Sequence, residues 1–109
     1  MQSRERQLAE NEVRFRALNE RLQESGGAWV GFDGTLSLVC ECGDENCTLA
    51  IALTPRDYEA VRAIETQFAV VPSHARPEVE NVVSDHGTWV MVRKRGVAAE
   101  IAAATDPRS

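Results

Sequence analysis

Apolar positions in the first 24 residues recur at helical spacing. Leu8, Asn11, Phe15, Leu18 and Leu22 step by threes and fours, which predicts a helix over residues 3–24 with one narrow stripe. Glu10 with Arg14 and Glu12 with Arg16 add i,i+4 pairs in the favourable order. Ser25-Gly26-Gly27 ends the helix and reads as a hinge. The period then changes to two. Ala28–Phe32 reads as a strand, Asp33-Gly34 as a two-residue turn, and Thr35–Cys42 and Cys47–Leu53 as alternating strands. Pairing Cys42 with Cys47 sets Cys40 opposite Leu49, Leu38 opposite Ile51 and Leu36 opposite Leu53. Both apolar faces then coincide, and three sulfurs project from one end of a hairpin.

Further on, Thr54 is placed to cap a helix, with Pro55 at its first position and Asp57 in the capping-box place. That helix is expected over 55–65, burying Tyr58, Val61 and Ile64. Gln67–Val71 reads as a short strand leading into Pro72–Pro77. Val79–Ser84 and Thr88–Arg93 read as a second hairpin turning at Asp85-His86-Gly87, and 96–104 as a helix of small residues. Trp29 and Trp89 fall on predicted strands, Trp29 across from Leu38 as a core side chain and Trp89 sharing a face with Met91. The fold class is therefore α+β: a long N-terminal helix, a mostly antiparallel sheet with a metal-knuckle hairpin, and two further short helices. The chain divides into an interaction helix with hinge (1–27) and a compact α+β domain (28–109).

Composition fits an ordinary globular chain, 43% hydrophobic and 27% charged over 109 residues, with room for one modest core. No N-terminal apolar run resembles a signal peptide and no stretch approaches membrane-spanning length, so the expected location is cytoplasmic, with no membrane partner. There, thiols stay reduced. The net charge is −5, and residues 26–60 carry six acids against Arg56 alone. That region repels a phosphate backbone, so no nucleic acid partner is expected. Arg93-Lys94-Arg95 is a solvated strand end rather than a phosphate site.

All three cysteines lie within Cys40-Glu41-Cys42-Gly43-Asp44-Glu45-Asn46-Cys47. Zinc takes thiolate and imidazole in tetrahedral sets, and Cys3His is a common structural combination. The expected ligands are Cys40, Cys42, Cys47 and His74, the last held in a stiff loop between Pro72 and Pro77. His86 competes less well, because Asp85 and Gly87 already account for a turn there. Asp44 or Glu45 is a weaker alternative ligand. Iron also suits thiolates, but an iron–sulfur cluster normally takes four cysteines, which favours zinc. Glu41, Asp44 and Glu45 are expected to raise thiol pKa values and to disfavour a nucleophilic cysteine. With two His and no G-x-S-x-G, P-loop or H-E-x-x-H, the chain offers little to a hydrolase.

These residues resemble a group of small actinobacterial-type proteins with a C-x-C-x4-C motif and a downstream His. The likeness runs through Asn11-Glu12, Phe15-Arg16, Asn19-Glu20-Arg21, Cys40-Glu41-Cys42, Cys47, Leu53-Thr54, Tyr58-Glu59, Val61-Arg62, Phe68, Pro72-Ser73-His74 and Pro77-Glu78. Ser73 stands where that group has Gly, and Ala75 where it has an acid. The resemblance implies His74 as partner of the cysteines and implies no activity.

The resulting expectation is a zinc-binding adaptor or regulatory module rather than an enzyme. Its partner is another protein or a second copy, met by Leu8, Asn11, Phe15, Leu18 and Leu22, a narrow seam of coiled-coil type. Two other classes remain open: a redox- or metal-responsive regulator that loses zinc on thiol oxidation, and a small zinc enzyme.

Overall fold

The computed structural model describes residues 4–24 and 33–108; the hinge, the 28–32 strand and Trp29 lie outside them. In chain order the elements are α1 (Arg4–Glu24), β1 (Leu36–Val39), β2 (Ala50–Leu53), α2 (Pro55–Arg62), β3 (Gln67–Val70), a 3-10 turn (Pro72–His74), β4 (Glu80–Asp85), β5 (Val90–Lys94) and α3 (Gly96–Ala104). The fold is α+β, with two antiparallel sheets, β1-β2 and β3-β5-β4. No described helix is long and apolar enough to cross a membrane.

The first hairpin keeps the register that alternation dictates. Leu36 faces Leu53 and Leu38 faces Ile51, and the Cys40 N–H reaches the Leu49 carbonyl at 3.0 Å. Leu36, Leu38, Ile51 and Leu53 enter one core with Tyr58, Val61, Phe68, Trp89 and Val92. Leu49 departs from its expected place and stays 48% exposed. Regular β2 starts only at Ala50, and the backbone before it turns to serve a sulfur, as described below.

The second helix begins as expected, with Thr54 Oγ1 accepting the Asp57 N–H at 3.0 Å, but it ends at Arg62 rather than 65. The Gln67 side chain explains the early stop. Its Nε2 donates to the carbonyls of Ala60 (3.1 Å) and Val61 (3.0 Å), acceptors that further helical turns would have used. Ile64 therefore falls beyond the helix and is 42% exposed instead of buried. β4 and β5 pair around the expected turn, with a bulge between Val82 and Ser84.

The N-terminal helix meets the body along a polar face. Its apolar residues Leu8, Phe15, Leu18 and Leu22 are only half-buried, and Leu22 packs against the core. The buried set is Ala9, Asn11, Glu12, Arg16, Asn19 and Glu20, displaced from that stripe toward its polar side. Each charge there has been given partners. Arg16 donates to the carbonyls of Glu65 (Nη1, 2.6 Å) and Ala102 (Nη2, 2.9 Å), and its guanidinium lies 4.8 Å from the Phe68 ring centre. Glu12 and Glu80 share Lys94. Glu20 pairs with Arg62 at 2.7 Å and also meets Arg108, while Arg62 reaches Asp106 as well.

Burial pushes the Glu12 carboxyl up to about 7, against the pull of Lys94. A folded-state value above the unfolded one means that its contribution to stability is complete below about pH 4.5 and is lost as pH rises through 7. Glu12→Gln keeps the shape without the ionisation. Against wild type, this variant should therefore gain on the order of 2 kcal/mol between pH 5 and pH 8. Denaturant unfolding of both proteins across that range checks it; a constant difference would remove Glu12 as the source.

Candidate metal centre

Cys40 and Cys42 continue β1 on one face of the strand and are almost wholly buried, at 2% and 1% exposure, whereas Cys47 is half-buried. Gly43 then turns the chain with φ +83°. The turn closes when the Cys47 N–H meets the Asp44 carbonyl at 2.9 Å and the Asn46 N–H meets Asp44 Oδ1 at 2.9 Å. From the other sheet, the 3-10 turn after β3 aims His74. Pro72 sits at its first position, and the His74 N–H bonds the Val71 carbonyl at 2.8 Å.

The three sulfurs and the His74 ring converge, with one donor atom from each residue and all four within 4.8 Å of one another. His74 Nδ1 lies 3.7 Å from Cys40 Sγ and 3.6 Å from Cys47 Sγ. Tetrahedral zinc, with bonds of about 2.3 Å to sulfur and about 2.05 Å to nitrogen, requires sulfur–nitrogen edges of about 3.6 Å. The four side chains could therefore hold one metal ion. His86 is elsewhere, its ring stacked on Trp89 at 4.0 Å and its Nε2 bonded to Ser84 Oγ at 2.8 Å.

Backbone amides face each sulfur. Val71 N–H donates to Cys40 Sγ at 3.2 Å, Asp44 N–H to Cys42, and Leu49 N–H to Cys47. Fixed donors of this kind neutralise part of a thiolate's charge and orient its lone pairs. The Cys42 thiol is pulled down to about 5, first by a hydrogen bond from the Cys40 thiol and then, against burial, by the Asp44 amide. Cys40 moves up because it keeps the shared proton and because it is desolvated. Burial likewise raises Cys47, which also hydrogen-bonds Cys42. A bound metal ion would displace the remaining thiol protons.

Several residues that build this site are not ligands. Glu41, between two cysteines, points away from them and is wholly buried. Its Oε1 accepts the Ala69 N–H at 2.9 Å, its own N–H meets the Ala69 carbonyl at 2.9 Å, and its Oε2 accepts Asn19 Nδ2 at 2.8 Å. Asn19 also receives the Val39 N–H at 2.9 Å and donates to the Val39 carbonyl at 2.9 Å. Asn11, expected on a partner-facing seam, donates to the Gly43 carbonyl at 3.0 Å. Arg76 ties the His74 loop to the Cys42 carbonyl through Nε and Nη2, at 3.4 and 3.3 Å. The one sequence signal for these roles was the echo of Asn11-Glu12 in Asn19-Glu20. Eight helical residues rise about 12 Å and four strand residues about 13 Å, so the two asparagines match Gly43 and Val39.

Gly43 fits where a side chain cannot. A Cβ there would lie 2.6 Å from Glu12 Cγ and 2.7 Å from the Leu8 carbonyl oxygen. Gly43→Ala should cost about 2–4 kcal/mol from left-handed strain and overpacking together. Gly34 has a similar φ, +79°, but open space around it, so Gly34→Ala should lose only about 1 kcal/mol. Denaturant unfolding of the pair checks the difference, and equal losses would show that contact with α1 adds nothing.

Comparison of this chain with protein-family models, with curated proteins and with solved structures finds no match.

Proposed function

We propose that this chain is a small zinc-stabilised module that acts through protein contacts, with one zinc ion held structurally by Cys40, Cys42, Cys47 and His74. The observation that carries this reading is the Cys3His donor set, with four donor atoms within 4.8 Å of one another and two sulfur–nitrogen distances at tetrahedral edge length. The set favours zinc over an iron–sulfur cluster, which takes four thiolates as a rule, because the chain has three cysteines. Four protein ligands close the coordination sphere and leave no position for a reactive water, which favours a structural over a catalytic ion. A reducing, cytoplasmic setting suits it, since thiols stay free there for the metal.

The contact surface we assign lies on Leu8, Phe15 and Leu18, the half-buried edge of α1 beside its polar stripe. Leu22 and Asn11 are engaged within the chain. The occupant is a protein partner or a second copy of the chain.

The purified protein should contain one equivalent of zinc, and its cobalt-substituted form should show tetrahedral absorption with sulfur-to-metal charge transfer. His74→Ala should weaken metal binding at least tenfold, whereas His86→Ala should leave it unchanged. Metal content near zero in folded protein prepared without chelators would end the zinc reading. Removing α1 is not a fair test of the surface, because Arg16, Asn19 and Glu20 reach into the core. Phe15→Glu with Leu18→Glu should instead abolish self-association or partner capture while the melting temperature stays near wild type; an unchanged mass and unchanged capture would discard this surface.

A further inference from the structure

The site's four ligands are unequal in a way that a purely inert clamp does not require. Cys40 and Cys42 are sealed, while Cys47 and His74 are half-buried. A cleft of about 300 Å³, lined by Cys42, Asp44, Ser73, His74, Ala75, Arg76 and Glu78, opens beside the cluster. A small oxidant can therefore reach Cys47, the half-buried sulfur, without unfolding the domain.

The hairpin also selects which sulfurs would join. Cys42 and Cys47 flank the turn that the Cys47 N–H closes on the Asp44 carbonyl, and their sulfurs lie within 4.8 Å of one another. A disulfide accepts Cα atoms about 4.4–6.8 Å apart, a span that a chain folded back across a tight turn reaches. Cys40 and Cys42 lie two residues apart on one strand, about 6.6 Å, at the far limit of that range. The pair across the turn is the easier bridge.

Resting on the zinc reading above, we propose that Cys42 and Cys47 form a peroxide-sensitive modification site whose oxidation to a disulfide releases the metal. The Cys47 thiolate attacks hydrogen peroxide; the O–O bond breaks, sulfur takes one oxygen as sulfenic acid, and hydroxide leaves and is protonated to water. Cys42 sulfur then attacks the sulfenic sulfur, the S–S bond forms, and the oxygen departs as a second water. In total two thiolates lose two electrons, peroxide gains them, and solvent supplies the protons for two waters. Cys40 and His74 remain as two ligands, too few to hold a tetrahedral ion. The new disulfide then spans the turn at Gly43, whose carbonyl is the one held by Asn11 of α1. A dithiol reductant restores both thiols and the site.

The experiment treats the full zinc-loaded chain with hydrogen peroxide in the presence of a chromogenic zinc chelator. Cleavage after Glu41 and Glu45 puts Cys40, Cys42 and Cys47 on three separate peptides, so mass spectrometry identifies the bridge. The expected result is one zinc released for each peroxide consumed, a Cys42–Cys47 crosslink, and zinc uptake again after dithiothreitol. Zinc retained at peroxide doses that oxidise a free cysteine peptide would overturn the proposal. So would release accompanied only by sulfinic acids or by bridges to Cys40. If the purified chain takes up no zinc at all, the metal reading fails by itself. The same peroxide treatment and digest then still decide whether Cys42 and Cys47 pair.

Discussion

A carboxylate that water does not reach joins the two sheets. Glu41 and Ala69 exchange backbone and side-chain hydrogen bonds, so the edge of β3 is paired with the continuation of β1 through a side chain instead of a strand. Burial raises the Glu41 carboxyl above its ordinary range, while the Ala69 N–H and Asn19 amide work against that rise. The metal centre depends on this junction, because three ligands come from the first sheet's hairpin and the fourth follows β3. Without it, nothing in the register of either sheet brings His74 to the sulfurs.

The same economy of side chains standing in for backbone recurs on α1. The Asn19 amide donates to and accepts from Val39, as a neighbouring strand would, and Asn11 holds the chain at Gly43. Buried charges flank both asparagines: Glu12 with Lys94, and Glu20 with Arg62. Such pairs add little net stability over well-packed apolar residues, yet losing one partner costs about 3–5 kcal/mol. Their effect is to admit one register of the helix on the hairpin. A purely apolar stripe could slide by a turn; two amides set eight residues apart cannot.

Period and turn chemistry were enough to read much of this arrangement from the chain. The first hairpin's register, the shared face of Cys40 and Cys42, the cap at Thr54 and the span of α3 all follow from local pattern. What escaped is non-local. The end of α2 depends on Gln67, five residues beyond the helix, capping its carbonyls. The exposure of Leu49 arises where the backbone leaves strand geometry to serve Cys47. Hydrophobic periodicity did not reveal which face of α1 meets the body, because it counts apolar residues and this helix is held by polar ones. Glu41 looked like a charge set against the thiols, but strand alternation turns it to the opposite face. Asp44 and Glu45, the other two acids of that motif, are exposed.

The two binding systems divide the ligands between them. Cys40 and Cys42 flank Glu41 and are positioned by the polar network whether or not an ion is present. Cys47 and His74 sit in short turns closed by few hydrogen bonds: Cys47 to Asp44, His74 to Val71, and the Arg76 contact with the Cys42 carbonyl. An incoming ion would thus meet two preset sulfurs and order only two turns, which would limit the entropy lost on binding. In a domain of this size the core alone leaves little margin. Metal binding contributes directly to folding, with apparent values of about 10–16 kcal/mol in zinc-finger peptides. The cost of ordering those turns is small beside that. The region that would depend most on an ion is therefore the hairpin tip and the His74 loop, while the rest of the sheet junction is held by Glu41 and Asn19.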